Sequence, residues 1–409
     1  MTSKIINKDN YNIHLYQTNR FKSNEIHVVF CHKRKKDDYL ITALTTLLTI
    51  TSKYYKTKRD RFIRSEELYN TSFNISKRRI GMINIVDFSI SFIDPKLVED
   101  DYLNDAIKYL FDILNNPIFD DNYLPEVKDK MNHMYKRRME NPATYAELKA
   151  YDAYMKDETI NTKYYVDEGI VNTITMKDIK NKYNELINDS KLSVYAIGNL
   201  DDNISDIIDK YIIKNDSKFN IDDYCIHNNF INKPNKVEEV KPNINQAQIV
   251  MIYDTKEFDN YHKTVMNLYS NILGGGSLNS RLFNEVREKN QLCYNINSMY
   301  DLNESLLMIK TSVDNKNIAK TINLINKVVE EMSSIKNEEL INAQANIKNI
   351  YESTYDYESG IVYQLIKEDL FGYNNIDIII SDIDKVSIDD LTSINDEYRL
   401  NTIYILKGE

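Results

Sequence analysis

Short runs of β-branched residues alternate along this chain with longer stretches of helical period. Glu25 to Phe30 (EIHVVF) reads as a strand and is followed by a helix-like stretch from Asp38 to Tyr55. Far downstream the same order returns: Gln248 to Tyr253 (QIVMIY) reads as a strand, and Phe258 to Leu273 as a helix. That helix places Phe258, Tyr261, Val265, Leu268, Tyr269 and Ile272 on one face, at a period near 3.6 residues.

The repetition continues. Ile85 to Asp94 (IVDFSISFID) corresponds to Leu306 to Asp314 (LLMIKTSVD), and Leu192 to Ile197 (LSVYAI) to Thr402 to Leu406 (TIYIL). Ile26 and Ile249 are 223 residues apart, Asp94 and Asp314 220, and Leu192 and Thr402 210. A nearly constant offset predicts an internal duplication with a small deletion late in the second copy. Long helical segments are expected at Tyr123–Lys156 and Asn337–Leu370, and an apolar stripe runs through Ile318, Ile322, Ile325, Val329 and Met332. Asn228 to Asn245 holds two of the six prolines and almost no periodic apolar pattern, which predicts a linker. The expected organisation is a first domain over 1–227, a linker over 228–245 and a second domain over 246–409. Mixed strands and helices, duplicated, predict an α+β fold of two α/β sandwich domains.

Composition narrows the function. The 409 residues carry 52 Lys+Arg against 62 Asp+Glu, a net charge of −10, so a dedicated nucleic-acid binder is not expected. Cys31, Cys225 and Cys293 are scattered, which excludes a disulfide scaffold or a CxxC zinc cluster. The longest apolar run, Leu40 to Ile50, is too short to span a bilayer, and Met1 to Asn10 lacks a signal-peptide core. The expectation is a soluble, cytoplasmic protein with no membrane partner. Glycine is the anomaly: there are 9 in all, and three stand together at Gly274, Gly275 and Gly276. So sparing a chain uses three in a row where the backbone needs freedom or close approach.

Those glycines open the segment GGGSLNSRLFNEVREKNQLCY, Gly274 to Tyr294. Ser277 or Ser280 is placed to cap a short helix whose last turn contains Arg287. Tyr294 follows seven residues on, so a turn between them can bring both side chains to one surface. A guanidinium fork beside a phenol donor suits a peptide carbonyl or a developing oxyanion. Spacing alone favours a plainer reading, a helix-end arginine in a surface ion pair and a tyrosine packed in a sheet.

The segment closely resembles the C-terminal half of insulinase-like (pitrilysin) zinc metallopeptidases, the family that includes mitochondrial processing peptidases. The match runs through Ser280 to Phe283, Glu285 to Lys289, Leu292 and Tyr294, in the family's order. The resemblance implies two homologous halves, each an antiparallel sheet covered by helices. It implies that Arg287 and Tyr294 reach the scissile peptide, with Gly274 to Gly276 letting the backbone approach the chamber.

Catalytic members of that family carry His-x-x-Glu-His on the helix after the second strand. The histidines hold zinc and the glutamate activates water. Tyr39 aligns with Tyr261 at a shift of 222 residues, which puts that helix at Asp38–Tyr55. DYLITALTTLLTITSKYY contains neither His nor Glu. The six histidines (His14, His27, His32, His133, His227, His262) include no pair three or four apart, and Cys225 with His227 lacks a third ligand. Walker, GxGxxG and GxSxG motifs are absent, and Cys293 reads as a buried strand thiol. A basic region (Lys33 to Lys36, then Lys53, Lys56, Lys58, Arg59, Arg61 and Arg64) reads first as solvated surface, with docking of an acidic partner as its sharper alternative.

The expected protein is therefore no metallopeptidase on its own. By resemblance it is the non-catalytic subunit of a heterodimer, contributing Arg287 and Tyr294 to a peptide substrate and its oxyanion while a homologous partner holds the zinc. The first half further resembles zinc-less bacterial members linked to peptide maturation or elongation factor P modification. The alternative is a catalytically inactive homodimer that binds peptides or serves as a scaffold.

Overall fold

The computed structural model describes residues 2–155, 165–213, 217, 219, 233–275 and 278–409. Two compact units divide the chain. Met1–Lys136, Thr162–Cys225 and Tyr355–Gly372 form one; Arg137–Asn161, Ile226–Thr354 and Tyr373–Glu409 form the other. Each unit thus takes in a segment from the far side of the stretch expected to be a linker. That stretch is itself part structure: residues 235–241 form a strand, while 228–232 lie outside the described residues.

The first unit is built on a six-stranded sheet of β1 (Thr2–Asn7), β2 (Asn12–Gln17), β3 (Ser23–Lys33), β4 (Ser72–Ile80), β5 (Ile83–Ile93) and β6 (Lys191–Gly198). Their order is β1-β2-β6-β3-β5-β4, antiparallel except for β2 with β6. Its helices are α1 (Tyr39–Ile50), α2 (Lys58–Glu67), α3 (Leu103–Leu114) and most of α4 (Leu124–Glu140), then, beyond α5 (Pro142–Tyr154) of the other unit, α6 (Glu168–Thr173), α7 (Met176–Asp189), α8 (Ile204–Tyr211) and the distant α12 (Glu358–Phe371). The period-2 pleat sends Ile26, Val28 and Phe30 of β3 into one core with α1, α3, α7 and α8. Val29 and Cys31 point the other way, against Ile361, Val362, Ile366 and Leu370 of α12. Strands apolar on both faces are therefore sandwiched, and each fully buried aliphatic side chain contributes about 1.5–3 kcal/mol.

The second unit repeats this plan with β7 (Asn235–Lys241), β8 (Ala247–Thr255), β9 (Cys293–Asp301), β10 (Leu306–Val313) and β11 (Tyr398–Gly408), ordered β7-β11-β8-β10-β9. β7 with β11 is its one parallel pair. Its helices are α5 (Pro142–Tyr154), α9 (Asn260–Gly274), α10 (Ile318–Glu330), α11 (Asn337–Ser353), α13 (Ile376–Lys385) and α14 (Ile388–Ser393). One sheet face packs on α9, α10, α11, α13 and α14, and Val250, Ile252, Met308 and Tyr404 on the other meet Tyr145, Ala146 and Ala150 of α5. Strand for strand, β2-β6-β3-β5-β4 corresponds to β7-β11-β8-β10-β9, so the duplication predicted from three landmarks extends through the topology. Both sheets are mixed, each antiparallel but for its single parallel pair.

The long helical segment expected at Tyr123–Lys156 splits into α4 and α5. Asn141 caps α5 through the Thr144 amide (2.9 Å), and Pro142 sits at the first turn, where its missing N–H costs nothing. Asn337–Leu370 likewise divides into α11 and α12, which belong to different units.

Candidate functional site

Leu282 and Val286 are fully buried and fasten the Arg287 segment to the second unit's core. Phe283–Lys289 winds as a π-helix, a wide turn that recurs at functional sites. Arg287 lies four residues beyond Phe283, and its guanidinium carbon stands 4.6 Å from the Phe283 ring centre. Gln291 then adopts φ 53°, its amide donates to the Arg287 carbonyl (2.9 Å) and that of Leu292 to the Val286 carbonyl (3.1 Å), and the chain turns into β9.

β9 is the edge strand of its sheet, and its pairing with β10 shifts between Thr311 and Val313. Ile296 opposes Thr311 and Cys293 opposes Val313, so the intervening Tyr294 and Asn295 carry one extra residue, a β-bulge. The bulge turns Tyr294 outward, leaving it 80% exposed, the most exposed large hydrophobic residue described. Its ring centre lies 5.0 Å from the Arg287 guanidinium carbon. Arg287 is thus held by two aromatic rings, each such contact contributing about 0.5–1 kcal/mol at an exposed site. Its carboxylate neighbour Glu288 stands 3.6 Å away, and Glu285 is taken by Lys289 at 2.7 Å. The arrangement offers N–H donors at the guanidinium edge beside an accessible phenol, both suited to a peptide carbonyl or carboxylate.

Other residues of the segment serve its placement. Gly274 is buried at the end of α9, and a Cβ there would stand 2.8 Å from the Ser298 backbone nitrogen and 2.9 Å from Leu282 Cδ1. Its lack of a side chain lets α9 approach β9. Gly275 is similarly tight against Asn271, and Gly276 lies outside the described residues, as does Ser277. The expected Ser280 cap does not form: its hydroxyl is buried without a hydrogen-bond partner, and Leu282 precedes the π-helix with no side-chain cap. Arg281 does the anchoring instead. Its Nε and Nη2 donate to the Glu339 carboxylate at 2.7 Å each, and it also reaches the Glu331 and Ser334 carbonyls. Sequence reasoning missed this clamp, because nothing local marks Glu339 as its partner. The four-residue spacing of Phe283 and Arg287 was the one available signal for the ring stack. Cys293 is half-buried, and burial pushes its thiol up.

The helix read as the bare metal helix is α1. Thr42, Thr45 and Thr46 are buried on it, and Lys77 donates to the Thr42 hydroxyl at 2.9 Å. With no His, Cys, Asp or Glu from Tyr39 to Ile50, α1 does not fit zinc. Among the described residues no three His, Cys, Asp or Glu are grouped to hold a metal ion. Three of the described histidines have other duties. His27 sits between Asp87 (3.0 Å) and Glu25 (2.9 Å) on the α12 side of the first sheet. Burial would lower its pKa, but Asp87 and Glu25 outweigh burial and push it up to about 9. His14 stacks on Tyr195, and both meet Asp369 of α12. The Nδ1–H of His32 donates to the Lys33 carbonyl (2.9 Å), and burial holds the pKa of this ring down. Cys225 and His227 lie outside the described residues. No described helix is long and apolar enough to cross a membrane.

Known proteins share this fold and part of this sequence. Residues 173–347 match the family model described as Peptidase M16 inactive domain. A Bacillus subtilis (strain 168) protein named "Probable inactive metalloprotease YmfF" is 23% identical over 414 residues, covering 97% of this chain and 95% of that protein. A conserved protein from Enterococcus faecalis V583 has the same fold, with TM-score 0.91, 20% identity and coverage of 100% of this chain and 99% of that one. A peptidase M16 inactive domain from Pseudomonas fluorescens follows at TM-score 0.81 and 14% identity, over 100% and 99% of the two chains. A Helicobacter pylori protease superposes with TM-score 0.82 at 15% identity, over 99% of each chain. The chain is thus a distant homologue of a protein named as a probable inactive metalloprotease, its residues 173–347 resemble the M16 inactive domain, and α1 offers no zinc ligands of its own.

Proposed function

We propose that this chain is the non-catalytic subunit of a heterodimeric insulinase-like metallopeptidase, working beside a homologous partner that holds the zinc. The observation that carries the reading is the contrast between α1, bare of metal ligands, and the ordered Arg287–Tyr294 pair. A chain that had lost peptide handling altogether has no need for an arginine held by two rings beside an outward-facing phenol on a bulged edge strand.

In this role the peptide lies extended along a sheet edge. Arg287 fixes a backbone carbonyl through its in-plane N–H groups. Tyr294 donates to the oxygen that gains negative charge when the peptide bond is attacked at the partner's zinc site. Gly274 and Gly275 allow the substrate-facing turn to pack closely. Peptide maturation or elongation factor P modification is the process in which such a pair would act. Loss of one oxyanion donor costs about 2.7–4 kcal/mol of barrier. Mixed with a zinc-bearing homologue, Tyr294→Phe therefore slows peptide turnover at least about tenfold while the complex stays assembled. An unchanged rate removes Tyr294 from the chemistry.

A further inference from the structure

The exposed face of α2 carries two charges, Arg59 and Glu66, that its own fold does not pair. The helix reads KRDRFIRSEE from Lys58 to Glu67. Phe62 and Ile63 at its centre are 61% and 44% exposed. Lys58 and Arg59 lie at its N-terminal end and Glu66 and Glu67 at its C-terminal end, all exposed. Lys58, Arg59, Glu66 and Glu67 each oppose the helix dipole, while Asp60, in a capping box with Thr57, and Arg64 complement it. Lys58 has an intrachain partner in Glu126 (3.3 Å), and Glu67 has one in Arg64 (3.1 Å). Arg59 and Glu66 form no ion pair among the described residues.

Arg59, Phe62, Ile63 and Glu66 occupy positions i, i+3, i+4 and i+7, which is one face of a helix. On that face the charge is antisymmetric about the midpoint of Phe62 and Ile63, with Arg59 on one side and Glu66 on the other. A twofold axis through that midpoint, with a second α2 antiparallel, sets Phe62 against Ile63 of the other copy. The same axis sets Arg59 against Glu66, a pairing that occurs twice. Arg59 and Glu66 are roughly 10 Å apart along the axis, far enough for both to flank the apolar pair.

We propose that the α2 face is a self-association surface, at which two copies of this chain pair antiparallel through Phe62 and Ile63, with Arg59 of each copy on Glu66 of the other. The charge complementarity selects a second copy. A uniformly acidic partner or an anionic membrane would suit the cationic end and be repelled by Glu66 and Glu67. One helix from each copy makes a small interface, below about 1,200 Å² in total, so the association is weak and reversible. It uses no residue of the Arg287 site and stands independently of the proposed function.

Sedimentation velocity over a concentration series of the full chain tests this. The wild type shows a monomer–dimer equilibrium that weakens with salt, and Phe62→Asp abolishes it. Arg59→Glu and Glu66→Arg each weaken it at least about tenfold, because twofold symmetry turns two attractions into two repulsions. Mixing those two single variants restores association, since the carboxylate introduced at position 59 of one then faces the guanidinium introduced at position 66 of the other. Circular dichroism of each variant confirms the fold, which these solvent-facing changes leave intact. A wild type monomeric throughout, a dimer that survives Phe62→Asp, or a mixture that fails to associate overturns the proposal. Binding of wild type only to an acidic protein or to anionic vesicles does the same.

Discussion

Arg287 and Tyr294 stand seven residues apart in sequence, with the guanidinium carbon of one 5.0 Å from the ring centre of the other. Two local departures from regular structure produce that approach: the π-turn that carries Arg287 and the bulge that turns Tyr294 outward. Because both residues face solvent, their value lies in what they present. Arg287→Ala is expected to weaken binding of an unstructured peptide to the assembled complex by about tenfold, while urea stability falls by no more than the about 1–2 kcal/mol that its two ring contacts contribute. Titration beside a denaturation curve separates the two, and a large stability loss would assign Arg287 a structural role.

Arg281 is the converse case. Its bidentate bond to Glu339 and its bonds to two carbonyls tie the site segment to α11 and the turn before it. Arg281→Met leaves a partly buried carboxylate and two carbonyls short of donors, an expected loss of about 2–3 kcal/mol in urea unfolding. A loss under about 0.5 kcal/mol, smaller than one ordinary hydrogen bond contributes, would show the clamp to be dispensable.

At Gly274 the expected fault is steric. Gly274→Ala drives a methyl to 2.8 Å from the Ser298 nitrogen, where backbone cannot give way easily. Overpacking of this kind costs about 1–3 kcal/mol. The measurement is the urea midpoint, and an unchanged or raised midpoint would contradict the close approach of α9 and β9.

His27 makes the pH dependence specific. Its folded pKa of about 9 lies above the ordinary value of 6.5, so its contribution to stability is fully present below about 6.5 and is lost as pH rises through 9. The size is at most about 3 kcal/mol. Wild type should lose this much more stability than His27→Gln between about pH 6 and 10, followed by urea unfolding. Parallel curves would mean that Asp87 and Glu25 do not hold a charged imidazole.

The strands that sequence made legible are those buried on both faces: β3, β5, β6, β8, β10 and β11 all read as continuous apolar runs. β1, β4 and β7 were missed because they are edge strands with polar, half-exposed faces, and β7 (NKVEEVK) lies in a proline-flanked stretch that resembles a linker. The exchange of α5 and α12 between units was illegible, since a helix's apolar stripe does not name the sheet it covers. Arg287 and Tyr294 were singled out through an ordered motif. Arg281's partner and the bulge at Tyr294 depend on distant residues, Glu339 and Thr311, that no local pattern connects to them.

The most direct test of the central claim is affinity isolation of the native assembly from its own cells, with metal analysis of what is recovered. The account predicts a second, homologous chain in equal amount and one zinc per pair. Recovery of this chain with no homologue and no zinc would contradict it.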